Sequence, residues 1–147
     1  MLFIYEAVNS LPFQGSDLTN LELIKELYEN YKIRNLDRIR ELFHPEIEWT
    51  QMPSFPNGGH YVGADAIFEH VFNGFRENWD GWQATVDDFL EVGTIVIATG
   101  YYKGTYKATG KSMQAEFAHW YTLSEGKVRS FKQYTDTYSV LEATLAD

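Results

Sequence analysis

At 147 residues the chain has the length of one domain with a single core, and a 16% aromatic fraction is ample to fill it. A formal charge of -9 without a Lys/Arg cluster along the sequence opposes a nucleic-acid partner, and the lack of cysteine removes disulfides, thiolate nucleophiles and Cys-based metal sites. No segment has the apolar length of a membrane helix, and Met1 to Val8 lacks a basic n-region and is interrupted by Glu6, so neither membrane nor secretion is expected and the cytoplasm is the expected compartment.

Residues 1–18 show no period and read as an N-terminal arm ahead of a single domain over 19–147; Phe13-Gln14-Gly15-Ser16 faintly resembles a protease scar, but its upstream residues do not fit one. Thr19 with Glu22 makes a capping box, and Leu21, Ile24, Leu27 and Tyr31 recur at helical spacing, so a helix is expected over Asn20 to Lys32. Asn35 caps a short second helix that faces Leu36, Ile39, Leu42 and Phe43 inward and stops at Pro45. Ile47, Trp49 and Gln51 alternate with polar residues and predict a strand, and the segment Pro53 to Gly59 is a loop. From Ala64, Phe68, Phe72, Phe75 and Trp79 form the aromatic stripe of a third helix. After Gly81 the chain reads as β-rich to Thr137, with Asp87-Asp88 at a strand edge or bulge and turns at Glu91 to Gly93, Ala108 to Gly110 and Glu125-Gly126; a final helix is expected over Ser139 to Leu145. Helices first and a meandering sheet after them predict an α+β fold, three N-terminal helices packed on a curved, mainly antiparallel sheet.

The last hairpin carries the chemistry. If Ser124 pairs with Lys127 and the ladder is regular, His119 lies opposite Lys132, Phe117 opposite Tyr134 and Ala115 opposite Asp136, so that His119, Tyr121, Lys132, Tyr134 and Asp136 share one face with Phe117. That mixture suits a pocket better than a core. The opposite face then carries Glu116, Trp120, Thr122, Phe131 and Gln133, and the outward Trp120 with Phe131 predicts a homodimer contact through the sheet. Trp49, His60, Phe72, Trp79 and Tyr101 complete the expected ligand-binding set, whose walls suit a small hydrophobic molecule with a few oxygens. His119 and Asp136 are the candidate acid–base pair; for His119 the alternative is a satisfied, partly buried imidazole, and for Asp136 it is the cap of the following helix. Four histidines without ligand spacing predict no metal, and no cofactor is called for.

N-L-D at 35 to 37, L-F-H-P-E-I-E-W at 42 to 49, Y-V-G-A-D-A-I at 61 to 67, and E-G-K-V followed by Q-Y-T-D-T over 125 to 137 resemble, in order and spacing, the SnoaL-like branch of the NTF2-like superfamily, relatives of ketosteroid isomerase. The resemblance spans about Leu21 to Leu141 and implies a cone-shaped α+β barrel and commonly a homodimer. It does not imply one reaction, because isomerases, cyclases, hydrolases and binders share the scaffold. The general-base Asp of the steroid isomerases corresponds to Met52, their helix-one Tyr falls near Leu27 with Tyr28 and Tyr31 adjacent, and their second oxyanion donor aligns with His119. The Arg and Asp of limonene-epoxide-hydrolase-like members fall near Gly100 and Tyr102, leaving Asp136 as the match to an acid shared by the hydrolases and the polyketide cyclases. Two readings follow. One is a cofactor-independent isomerase, cyclase or hydrolase working by acid–base chemistry, and the other a binding or interaction module with no chemistry.

Overall fold

The computed structural model describes residues 18–147; the arm expected over residues 1–18 lies almost wholly outside them. Helix α1, Asn20–Lys32, begins at the expected capping box, with Glu22 N–H donating to the Thr19 hydroxyl and Thr19 N–H to the Glu22 carboxylate, and it buries Leu23, Ile24 and Leu27. Helix α2, Leu36–Leu42, is capped by the Asn35 side chain and runs directly into strand β1, Phe43–Gln51. Pro45 lies where β1 slips register against its neighbour, a place where its missing N–H costs no ladder bond. Strand β2 is Gly59–Val62. Then comes a continuous helical run, α3 Ala64–Ile67, a π-helical turn Phe68–Phe72 and α4 Asn73–Asn78. Phe68, Val71 and Phe75, at the i, i+3, i+7 spacing of one helical face, reach the core, and Phe72 stays at its edge. Trp79 ends the expected stripe as the first residue of β3 rather than the last of a helix.

Strands β3 (Trp79–Val92), β4 (Ile95–Tyr106), β5 (Ser112–Ser124) and β6 (Lys127–Thr135) follow as an antiparallel meander, and α5, Thr137–Ala143, ends the described chain's regular structure. The six-stranded sheet has the order β2-β1-β6-β5-β4-β3, with β1 and β6 parallel and every other pair antiparallel. This is the expected α+β arrangement of helices on a curved, mainly antiparallel sheet, three helical units preceding the meander and a fourth closing it.

Of the sheet's four register shifts, two bear on the readings made from the sequence. In edge strand β3 the ladder skips Asp87, so the Asp87-Asp88 pair marks both an edge and a bulge. Opposite it, a Cβ on Gly100 would stand 1.8 Å from the Thr85 carbonyl oxygen. The Gly100→Ala variant is therefore expected to lose about 1–3 kcal/mol through forced backbone displacement, read as a lowered midpoint in urea denaturation.

The second bulge changes the reading of the final hairpin. Ser124 pairs with Lys127 through a two-residue turn in which Glu125 (φ 55°) and Gly126 (φ 73°) are both left-handed, a type I′ geometry. The ladder then skips Arg129: Leu123 faces Val128, but Thr122 faces Ser130. His119 consequently pairs with Gln133 instead of Lys132, and Phe117 with Thr135 instead of Tyr134. One inserted residue in a period-two element exchanges the faces of everything beyond it. Phe131 and Gln133 turn into the core, while Lys132 and Tyr134 turn out.

Candidate functional site

The inner face of the sheet sets large side chains beside small ones. Tyr102 on β4 lies between Ala84 on β3 and Ala115 on β5, and His119 on β5 lies between Ala98 and Gln133. Gaps left by the alanines are roofed by Leu27, Tyr28 and Tyr31 of α1 and by Val71, Phe72 and Phe75 of the third helical unit. The result is an apolar inner cavity of about 40 Å³, further lined by Trp49, Gln51, Ala84, Tyr102, His119, Tyr121 and Phe131. It shares Tyr28, Tyr31, Phe72, Phe75 and Ala84 with an outer cavity of about 800 Å³ between α1, α4 and β3. An end of a ligand fits the inner space, and the rest of it the outer.

His119 is 4% exposed, and both ring nitrogens meet tyrosine hydroxyls: Nδ1 lies 2.6 Å from Tyr28 and Nε2 2.5 Å from Tyr102. The Tyr121 hydroxyl donates to Tyr28 at 2.7 Å, and Gln133 Nε2 donates to the Tyr102 oxygen at 2.9 Å. Gln133 in turn accepts from Met52 N–H at 3.0 Å, which fixes its amide orientation. Phe117 stacks on the imidazole with ring centres 3.8 Å apart, and Phe131 stacks on Trp49 at 3.8 Å. Burial holds the His119 imidazole well below its ordinary pKa and pushes the hydroxyls of Tyr28, Tyr102 and Tyr121 above theirs. All four groups are neutral near pH 7.

Counting protons in this neutral network leaves one over. With the proton on Nε2, the imidazole donates to Tyr102 and accepts from Tyr28, and the Tyr102 hydroxyl proton has no acceptor among the described residues. With the proton on Nδ1, Tyr102 donates to Nε2, and the Tyr28 hydroxyl, which already accepts from Tyr121, is left over instead. Either tautomer presents one tyrosine O–H within an apolar cavity, a hydrogen-bond donor suited to a ligand oxygen.

Of the residues singled out in the sequence, Trp49, Phe72, His119 and Tyr121 line this cavity and Phe117 supports it. Others lie elsewhere. The Arg129 bulge sends Lys132 and Tyr134 to the outer face, where the Lys132 ammonium lies 5.2 Å from the Tyr134 ring. Asp136 is the exposed N-cap of α5, accepting from Ser139 N–H and Ser139 Oγ, and these bonds, the hydroxyl first, draw its carboxyl below the usual range. His60 is exposed and bonds Thr50 and Glu48, Trp79 packs with Trp82 and Tyr106 away from the inner cavity, and Tyr101 alternates outward from Tyr102. The dimer surface imagined from Trp120 and Phe131 loses Phe131, which is 2% exposed; Trp120 is outward.

Tyr28, Tyr102 and Gln133 belong to the site in addition to the residues expected from the sequence. Tyr28 carried a signal, its place beside Leu27 on the cavity-facing helix, and Tyr102 stood at a position where relatives carry chemistry. Gln133 carried none, since a regular ladder turns it outward. Among the described residues no group of three or more His, Cys, Asp or Glu could hold a metal ion.

Since His119 stays neutral in the folded protein and takes up a proton in the unfolded chain below about pH 6.5, its burial lowers stability as pH falls from 7 to 5, by at most about 1.4 kcal/mol per pH unit. Urea denaturation at the two pH values should show a smaller decline for His119→Gln than for the wild type. Asp136→Ala is expected to cost about 0.5–2 kcal/mol through the lost cap while leaving ligand affinity unchanged by equilibrium titration.

The model of the SnoaL-like domain family matches residues 24–131. An NTF2-like protein from Burkholderia thailandensis is 35% identical, with 87% of this chain and 98% of that chain covered and a TM-score of 0.84. TerC, co-crystallised with polyporic acid, is 25% identical over 84% of this chain and 96% of its own, with a TM-score of 0.75. A SnoaL-like polyketide cyclase assignment from Jannaschia sp. CCS1, 18% identical over 88% of this chain and 96% of that chain with a TM-score of 0.73, shares the fold. No curated protein matches the sequence.

Proposed function

This chain belongs to the SnoaL-like domain family of the NTF2-like fold, and from that premise we propose that it binds a small, mainly apolar compound bearing a carbonyl oxygen and moves a proton on it without a cofactor. One observation carries the reading: the buried, neutral His119 is bonded through both nitrogens to tyrosines of an apolar cavity. Such an arrangement relays a proton. Tyr28 oxygen takes the proton from the carbon next to the carbonyl as its own passes to Nδ1; Nε2 releases its proton to Tyr102, whose hydroxyl proton goes to the carbonyl oxygen. The ligand is converted from ketone to enol, and the protein ends in the other histidine tautomer with no change of charge. No carboxylate takes part.

The familial likeness to a protein co-crystallised with polyporic acid supports an oxygenated, unsaturated ligand class. In this reading the protein acts in the cytoplasm, as a homodimer through the outer face of the sheet, where Trp120 remains 40% exposed. A second reading, a binding module with no turnover, draws on the absence of any Asp or Glu from the inner cavity's lining, which leaves the imidazole a weak base.

Incubating the protein in D2O with a panel of enolisable aryl ketones, and following deuterium uptake at the carbon next to the carbonyl by NMR, separates the two. Protein-dependent exchange should fall at least tenfold in His119→Gln, Tyr28→Phe and Tyr102→Phe and be retained in Asp136→Asn. Exchange indifferent to His119, or binding of a ketone without exchange, leaves the binding module as the function.

A further inference from the structure

The structure assigns a charge to the ligand: we infer that the outer cavity captures an organic anion, an apolar body ending in a carboxylate or comparable acidic group, a refinement that rests on the pocket reading above. The chain holds 12 Lys and Arg against 21 Asp and Glu, yet the residues lining the outer cavity invert that balance. They include Lys25, Lys32 and Arg34 from α1 and the turn after it and Arg76 from α4, against the single carboxylate of Glu29. The four cations approach from two separate elements, all four are exposed, and none makes an ion pair with a carboxylate among the described residues. Arg38, Arg40, Lys111 and Arg129 are each paired, and Lys103, Lys107, Lys127 and Lys132 also lack an ion pair among the described residues, so what sets the rim apart is four cations gathered against one carboxylate. Positive charge at the mouth of a low-dielectric cleft focuses the field toward it and concentrates anions there, although the protein as a whole repels them.

Arg34 adds an independent observation. It occupies the position after the α1 C-cap with φ 59°, a conformation in which glycine is favoured. The backbone thus forgoes the residue best suited to the turn and places a guanidinium on the cavity rim. The lining that the two cavities share, Tyr28, Tyr31, Phe72, Phe75 and Ala84, provides the mainly apolar path from the rim to His119. A ligand spanning the two would set its acidic group among the cations and its carbonyl at the tyrosines.

The test uses two probes that share a ring system, the sulfonate 1-anilinonaphthalene-8-sulfonate and the neutral N-phenyl-1-naphthylamine, titrated by fluorescence against the 147-residue chain and its variants. At low ionic strength the sulfonate should bind at least tenfold more tightly, and the preference should shrink severalfold at 300 mM salt, as expected for exposed charges. Arg34→Glu with Arg76→Glu should abolish it without weakening the neutral probe. Arg34→Gly should reduce it while maintaining or raising thermal stability, which separates loss of charge from loss of fold. Equal affinities for the two probes, or a preference unaffected by these substitutions, overturns the inference. Ala84→Trp, which fills the boundary between the cavities, should weaken both probes; if it weakens neither, or if neither probe binds the wild type, the pocket reading itself falls and this one with it.

Discussion

Skipping one residue, Arg129, in the β5–β6 ladder decides which side chains this protein keeps dry. A regular hairpin would direct Lys132, Tyr134 and Asp136 inward and Phe131 and Gln133 outward. Burying an unpaired ammonium costs several kcal/mol, whereas burying a phenylalanine returns about 2–3 kcal/mol, so the single forfeited rung is the smaller loss. The bulge is anchored. Arg129 Nη1 donates to the Glu46 carbonyl oxygen and lies 3.5 Å from the Glu48 carboxylate, tying β6 to β1 where β1 also slips register near Pro45.

The site follows from that choice. With Phe131 inward, its ring stacks on Trp49, and with Gln133 inward, an amide held by Met52 N–H reaches the Tyr102 hydroxyl. That amide occupies one lone pair of the Tyr102 oxygen, which helps hold the hydroxyl against His119 Nε2. A lysine in the same place would have charged the cavity and lowered the imidazole pKa further by repulsion. The neutral relay of two tyrosines and a histidine therefore depends on a backbone irregularity remote from it.

Electrostatics divide along the same path. Around His119 the lining of the inner cavity holds only neutral groups, in which a proton can move without separating charge, and Lys25, Lys32, Arg34 and Arg76 stand at the outer rim, exposed to water. Lys25 lies 5.6 Å from the Phe89 ring on the wall of the outer cavity. Arg76 is distant along the chain from Lys25, Lys32 and Arg34, and the fold brings the four together around the outer cavity that α1, the turn after it and α4 line.

Local rules determined much of the architecture from the residues alone. The Thr19/Glu22 capping box set the start of α1, Asn35 that of α2, Asp87-Asp88 marked a bulge in an edge strand, and the positive-φ pair Glu125-Gly126 closed the hairpin where expected. These are interactions between residues within a few positions of one another, so the sequence contains both partners. The aromatic character of the cavity and the inward aim of His119 and Tyr121 were legible too, since the extra residue lies in β6 and leaves the alternation of β5 itself unbroken. Only the tertiary structure decided the rest. Whether Arg129 bulges depends on what β1 and the helices need from β6, and Tyr28 and Gln133 become partners of the His119 network through contacts 31 to 93 residues apart along the chain. Asp136 shows the division most plainly: the sequence admitted both a pocket carboxylate and a helix cap, and the face exchange imposed by one extra residue left it the cap.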